Sequence, residues 1–317
     1  YGDHRDLHRV DRRQRQMCIR DSWNTRDLLA RCLRSVLGTA AGLEYSILVV
    51  DNASEDGSVA MVRERFPQVQ VLAQEENLGF GRAVNLGARH TTGDYLLVLN
   101  ADCILEADTI PALVRFMRTH EQAGAAGPRL LDSSGHFQPS AHPFPTPWRE
   151  CWRLLHLDGL LPLSRYPGRR WMESGPQAVD VIQGACLILR RAALPDGRVF
   201  DEDYFMYSEE VDLCYRLRRD GWAVYWLPEA TAIHLGGQST RQVAETMFLQ
   251  LYRSKALFFR KHYGETAVRR FQALLWAASV ARIAAAQALC TIQPNRRKAW
   301  KQLAQRYRTL IRELPRF

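Results

Sequence analysis

From Trp23 onward, apolar and polar positions fall into a regular alternation of helical and strand periods. Leu28, Leu29, Cys32, Leu33, Val36 and Leu37 recur at helical spacing, behind a capping Asn24 or Thr25, and stop at Gly38. Residues 45–50 form an apolar run, broken only by Ser46 and ending in Asp51-Asn52, as expected of a buried strand. The pattern then predicts a helix over 54–66, a short strand over 69–72, and a helix over 82–90 entered through the glycine loop Asn77-Leu-Gly-Phe-Gly81. Residues 95–99 repeat the buried-strand pattern and end in Asn100-Ala-Asp102, ahead of a predicted helix over 106–120. Strands alternating with helices predict an α/β domain with a mostly parallel sheet covered on both faces.

Past Gly127 the rhythm breaks. Residues 132–178 are rich in Pro, Trp, His and Arg, as expected of a long excursion that covers a substrate. Strand character resumes over 179–190 around a glycine; a helix is predicted over 209–220, capped by Ser208 and ended by Gly221, then a strand over 223–226 leading to His234. Residues 271–290 predict a helix with Leu274, Leu275, Trp276 and Ile283 on an apolar side, interrupted by Gln272, Arg282 and Gln287 and so not a membrane span. The basic run over 296–316 suits either a segment lying on anionic lipid or a solvated helix face packed on the domain. There is no internal repeat.

Composition changes this picture in two respects. A net charge of +9 over 317 residues calls for acidic partners: nucleic acid, anionic lipid or a phosphorylated small molecule. The seven cysteines are odd in number and contain no C-x-x-C pair, which argues against a disulfide framework or a zinc site and for a reducing, cytoplasmic compartment. No secretory signal is visible.

The chemistry lies at strand ends. Asp51 and Asp102 close two strands of one parallel sheet, so both face the same edge crevice. A carboxylate at Asp102 suits a divalent cation that also holds phosphate oxygens; its bland alternative is a helix cap. Asp51 suits a nucleotide base or ribose, or else a turn with Asn52 and Ser54. Glu209 and Glu210 are adjacent carboxylates in a first helical turn. The helix dipole alone accounts for them, but Tyr204, Phe205 and Tyr207 would desolvate one toward the range of a general base. His234 is a lone histidine of the kind that is more often structural, yet it ends a strand beside two glycines. The Gly79-Phe-Gly81 loop is not a dinucleotide fingerprint, because Val84 stands where a third glycine belongs. Its glycines suit close approach of backbone to a ligand, with Arg82 aimed at phosphate.

Together, Val49–Ser58, Asn77–Asn85, Leu99–Asp102, the block 200–216 and His234–Thr240 resemble, in order, the motifs of family 2 inverting glycosyltransferases of GT-A fold, and most closely bacterial rhamnosyltransferase-like members. The resemblance spans Trp23 to Arg260. It implies a donor site on Asn24, Asp51, Asn77, Gly79, Arg82, Asn85, Asn100 and Asp102, and an Mg or Mn ion on Asp102 with His234 assisting. It further implies Glu210 as the base with Glu209 as the alternative, and an acceptor side lined by Gln183, Gly184 and Ala185. The implied partners are a nucleoside diphosphate sugar such as dTDP-rhamnose, a glycan or polyprenol-linked acceptor, and an anionic membrane surface on the inner face of the bacterial plasma membrane, with nucleic acid not expected. Two other functions compete: a sugar-phosphate nucleotidyltransferase, which lacks its basic glycine loop here, and a non-catalytic basic binding protein, which leaves the strand-end carboxylates unexplained.

One departure from the family stands out. Its members open with an apolar strand ending in an aromatic-Asn pair; Trp23-Asn24 keeps the ending, while residues 1–22 have no apolar period and are expected to be disordered or foreign. Arg15-Gln-Met-Cys-Ile-Arg-Asp-Ser22 looks like translated adapter sequence. The expected organisation is therefore 1–22 outside the fold, a catalytic domain over 23–262 lacking its first strand and inactive on that account, and a basic helical region over 263–317.

Overall fold

A computed structural model describes residues 15–19, 23–39, 42–166, 171–236 and 244–317. In its first half, strands β1 (Arg15–Ile19), β2 (Tyr45–Asp51), β3 (Val69–Ala73) and β4 (Tyr95–Leu99) alternate with helices α1 (Arg26–Thr39), α2 (Ser58–Arg65) and α3 (Phe80–Arg89). After β4 come β5 (Cys103–Leu105), α4 (Thr109–Thr119), β6 (Ala123–Leu131), β7 (Phe137–Gln138), β8 (Ala141–His142) and α5 (Pro147–Leu154). The second half adds β9 (Gln177–Val179), β10 (Val181–Ile182), β11 (Cys186–Arg190), α6 (Glu209–Arg219) and β12 (Ala223–His234), and ends with α7 (Ala244–Tyr263), α8 (Glu265–Ile292) and α9 (Arg297–Glu313).

The main sheet runs in the order β3-β2-β1-β4-β11-β6-β12-β5. Its first four strands are parallel, as the βα alternation requires. Beyond them antiparallel pairs enter, β11 being antiparallel to β4 and β6 and β5 to β12, while β6 and β12 are parallel. The reason is local, since β11 returns from the excursion without a crossover helix. The two sheet faces bury different sets from the same strands. Leu97 and Leu99 pack with α1, α2 and α4, whereas Leu96 and Val98 pack with α3, Phe200, Trp226 and the C-terminal helices.

The expectation of a missing first strand is corrected. Arg15–Ile19 fills the slot between β2 and β4, with Ile19 opposite Val49 on one side and Leu99 on the other. That slot presents unpaired amides and carbonyls from both neighbours, and pairing there needs only backbone groups, so the sequence pattern is a weak guide to what fills it. The rest of 1–22 lies outside the described residues. Three further boundaries differ from expectation. Asp108, not Asp102, stands at the N-cap of α4. Ser208 precedes α6 in a left-handed conformation, φ 65°, without a side-chain capping bond. β12 runs on through Pro228 to His234, because a register break between Leu227 and Thr231 takes the proline out of the ladder. Finally, Phe271 and Leu275 of α8 share a core with Phe258 and Phe259 of α7 and the sheet, so α8 packs into the domain at its N-terminal half.

Candidate active site

The parallel half of the sheet delivers Asp51 to its C-terminal edge. The carboxylate is 2% exposed. Oδ2 accepts from the Ser54 amide at 2.9 Å, while Oδ1 is buried and has no hydrogen-bond partner among the described residues. The turn therefore uses half of the carboxylate, and the other half is an acceptor that costs about 1–3 kcal/mol unless a ligand donates to it. Beside it, Asn24 adopts φ 53° and ties two loops together: its amide donates to Ser54 Oγ at 3.3 Å and its Oδ1 accepts from the Glu55 amide at 3.0 Å. The same wall carries a buried Thr25 hydroxyl with no partner among the described residues.

The glycine loop is pinned to the same edge. Asn52, fully buried, accepts from the Leu78 amide at 3.4 Å and donates to the Gly79 carbonyl at 3.5 Å. Asn77 Oδ1 accepts from the Gly79 amide at 2.9 Å. Gly79 has φ 77°, and a Cβ there would lie 2.7 Å from the Phe205 carbonyl oxygen, so no other residue fits without displacing the loop. Arg82 follows as the one exposed residue of the first turn of α3. Its charge reaches Asp203, whose carboxyl is held below the usual range chiefly by Lys261, with Arg198 and Arg82 adding to it. Asn85 is a correction to the sequence reading. It is fully buried, its Oδ1 accepts from the Val199 and Phe200 amides at 3.0 and 2.9 Å, and its Nδ2 donates to the Phe200 carbonyl at 2.8 Å and to Glu202 at 3.0 Å. With both amide hydrogens and the carbonyl engaged, it has little left to offer a donor sugar.

Asp102 and His234 meet because β5 pairs antiparallel with the end of β12, setting Cys103 opposite His234. His234 Nε2 lies 3.4 Å from Asp102 Oδ1, and its Nδ1 lies 3.2 Å from Gln138 Oε1. If Nδ1–H donates to Gln138, the neutral ring turns an Nε2 lone pair toward a carboxylate. In that tautomer two electron-rich atoms face each other and suit a cation held between them, the arrangement in which metal-bound histidines are held from behind. Cys103 completes a group whose ligand atoms lie within 4.8 Å of one another. Its thiol, however, donates to the Ala185 carbonyl at 3.3 Å and is driven well above its ordinary value by burial, so it does not behave as a thiolate ligand. The oxygen and nitrogen donors of Asp102 and His234 fit a hard or borderline divalent cation such as Mg or Mn.

The turn 183–185 joins this edge to the acids of α6. The Asn100 amide donates to the Ala185 carbonyl at 2.9 Å, which anchors one end of the turn at the tip of β4. In its middle, a Cβ on Gly184 would lie 3.6 Å from the Glu210 Cβ and 3.4 Å from the Phe80 ring. Gln183 is held by its amide to the Ser140 carbonyl at 2.8 Å, and its side-chain Oε1 is buried with no partner among the described residues. Glu210 is partly exposed beside this turn, whereas Glu209 is 3% exposed and points into the fold. The preceding Tyr207 and Ser208 both take left-handed conformations, φ 68° and 65°, a local strain that fixes how the α6 acids enter the site. Asp212, one turn further on, is spent on structure: Arg216 and His262 both lie 2.7 Å from it.

The sequence brought out most of this set, but it marked Asn52 only as a turn residue and Thr25 only as a helix cap, and it missed Gln138. Asn52 adjoined a recognised carboxylate and could have been found from that. Gln138 lies in the aperiodic excursion, where no pattern marks it.

A carboxylate acceptor at one strand tip, a carboxylate–histidine pair at the next and an acid over a glycine turn, on this sheet, define a GT-A-type glycosyltransferase. The chain belongs to glycosyl transferase family 2, whose profile matches residues 20–197. It is 32% identical over 256 residues to the N-acetylglucosaminyl-diphospho-decaprenol L-rhamnosyltransferase of Mycobacterium tuberculosis, covering 74% of this chain and 81% of that protein. It is 23% identical over 177 residues to the rhamnosyltransferase WbbL of Escherichia coli, covering 54% of this chain and 66% of that one. Its fold is similar to that of a Pyrobaculum calidifontis mannosyltransferase in complex with GDP-Man and Mn2+, with a TM-score of 0.54, 18% identity, and coverage of 95% of this chain and 87% of the other. It is also similar to GalNAc-T7 with UDP, GalNAc and Mn2+, at a TM-score of 0.52 and 14% identity, covering 71% of this chain but only 44% of that one.

Proposed function

We propose that this chain transfers L-rhamnose, with inversion, from a thymidine diphosphate donor to a hydroxyl of a polyprenol-linked glycan in cell-surface polysaccharide synthesis, working in the cytoplasm at the plasma membrane. The observation that carries the transfer reading is the three-residue turn 183–185, which holds Asp102's strand tip at one end and Glu210 at its middle. The relatives' names support the choice of sugar and acceptor.

In this reading Asp51 Oδ1 accepts from an N–H of the base, which satisfies its orphaned oxygen. Asn24, Asn77, Gly79 and Asn100 shape the donor cleft, and Arg82 faces the diphosphate. Gln183, Gly184 and Ala185 line the acceptor side, with Gln183 Oε1 receiving a sugar hydroxyl. Glu210 removes the acceptor proton as that oxygen attacks the anomeric carbon; the new C–O bond forms while the bond to the diphosphate oxygen breaks on the opposite face. Glu209 stays buried as its neighbour in the first turn. Asp102 and His234 would hold an Mg or Mn ion, which supplies positive charge against the departing diphosphate.

A screen of nucleotide sugars, with Mg or Mn added or chelated and nucleoside diphosphate release as readout, tests the reading. The expected result is a preference for dTDP-rhamnose that chelation abolishes. Glu210→Gln is expected to lower transfer by about 10²–10⁴-fold with donor KM little changed; unchanged transfer would remove Glu210 from the base role.

A further inference from the structure

Eight of the nine large hydrophobic side chains exposed among the described residues lie on two elements only, the segment from α5 to Leu163 and helix α8. On the first, Trp148, Leu155, Leu160 and Leu161 are 64%, 57%, 78% and 56% exposed; on the second, Trp276 and Val280 are 53% and 40% exposed. The two elements pack on each other, and Arg282 of α8 donates to the Leu154 carbonyl at 2.6 Å. That bond turns inward the one charge between Phe271 and Ile292, so the outward stripe through Ala273, Trp276, Ala277, Val280, Ala281 and Ala284 carries no charge and no hydrogen-bonding group but the Trp276 indole N–H. A water-facing helix surface of this composition is unusual unless something covers it.

The surrounding charge says what does. Between Glu265 and Glu313 there is no acidic residue and there are ten basic ones, enough to account for the net +9 of the whole chain. Arg269 and Arg270 precede the apolar stripe and Arg296, Arg297 and Lys298 follow it, all exposed. Where α8 meets α9, Arg297, Lys301 and Arg308 line a groove of about 530 Å³, with Cys290 and Ala304 at its base. An apolar stripe bracketed by cations, with tryptophan on it and a basic groove alongside, is built for an interface that is apolar below and anionic above.

We infer that α8, the α5–Leu163 arm and the α9 groove form one docking surface for an anionic lipid leaflet, with α8 lying in the membrane plane. The inference rests on the proposed polyprenol-linked acceptor and adds its geometry. The apolar arm belongs to the same excursion as β8, which pairs with β10 directly before Gln183. The arm that rests on lipid is thus tied through β8 and β10 to the acceptor side, which suits an acceptor presented from that leaflet to the 183–185 turn.

Flotation of the full chain with phosphatidylglycerol-containing and with pure phosphatidylcholine vesicles tests this. Binding is expected to be selective for the anionic vesicles and to fall with salt. Trp276→Glu with Val280→Glu, and separately Lys298→Glu with Lys301→Glu, should each lower the bound fraction by about tenfold or more at unchanged thermal stability. Undiminished binding of both variants overturns the proposal. So does resistance of the bound protein to alkaline extraction, which would mean that α8 inserts, or a lipid-free dimer by sedimentation that Trp276→Glu dissolves, which would make the stripe a contact between copies. Transfer to a water-soluble acceptor without a lipid tail should persist in both variants. Absence of such transfer in the unaltered protein would sink the proposed activity while leaving the flotation result to stand.

Discussion

Replacing Asn85 by alanine separates a ligand contact from a structural clamp. The side chain closes four hydrogen bonds of 2.8 to 3.0 Å to the segment that leads into α6, and three of its partners are the Val199 amide and the Phe200 amide and carbonyl. Both of those residues are fully buried, so water cannot readily replace the lost partner. Each buried backbone group left unsatisfied costs about 1–3 kcal/mol. Three such groups therefore predict a loss of about 3–9 kcal/mol, a large part of the ~5–15 kcal/mol typical of a folded domain. Urea denaturation is the assay: the midpoint should fall steeply with little change in slope, because the surface exposed on unfolding is nearly the same. Asn85→Asp keeps the acceptor for both amides but sets a carboxylate against the Phe200 carbonyl and Glu202, and should be destabilised as well. A loss below about 1 kcal/mol accompanied by a raised donor KM would refute the clamp and restore Asn85 as a donor contact.

Three further outcomes follow from the same geometry. Gly79→Ala sets a Cβ 2.7 Å from the Phe205 carbonyl oxygen at φ 77°, so it should destabilise by about 1–3 kcal/mol and weaken nucleotide binding in a calorimetric titration; wild-type values for both would remove the close-approach argument. Gln138→Ala, acting through His234 Nδ1, should raise the metal concentration for half-maximal activity by about 10–100-fold, and an unchanged metal titration would show that the imidazole needs no support. Burial works to raise the Asp212 carboxyl, but hydrogen bonds and charge from His262 and Arg216 outweigh it and hold its titration below the usual value. The stability this contributes is complete above about pH 4 and is lost as pH falls through the folded-state value. Asp212→Asn should therefore be less stable at neutral pH by about 3–5 kcal/mol and show a flatter decline in acid, and parallel pH profiles of the two proteins would contradict the assignment.

What the sequence made legible was what periodicity and strand-end chemistry can carry. The apolar runs ending in Asp51 and Asp102 mark two parallel strands, and the strand between them places both acids at one edge. His234 was set beside Asp102 by the family resemblance and not by periodicity, because the pairing that brings it there depends on β12 continuing past Pro228. A proline reads as a strand end when the register break that excuses it is not visible. Asn85 sat in a recognised motif and was misread for that reason: motif membership does not distinguish an amide aimed at a ligand from one aimed at a neighbouring loop. The strand Arg15–Ile19 escaped because a slot between two strands selects for backbone pairing first and for side-chain pattern second.

The pairing of β5 with β12 also fixes the order in which the site comes into being. A chain leaving the ribosome can complete the parallel half of the sheet, with the Asp51 pocket and the glycine loop, well before β12 has been made. Asp102 must then wait just ahead of a bare three-residue strand until His234 arrives from far down the chain, at the end of the longest strand in the sheet. Closing so long a loop is slow and rewards only the last contacts to form. A chain truncated before β12 would thus carry the Asp51 pocket without the Asp102–His234 pair and, in the proposed reading, would lack competence for transfer.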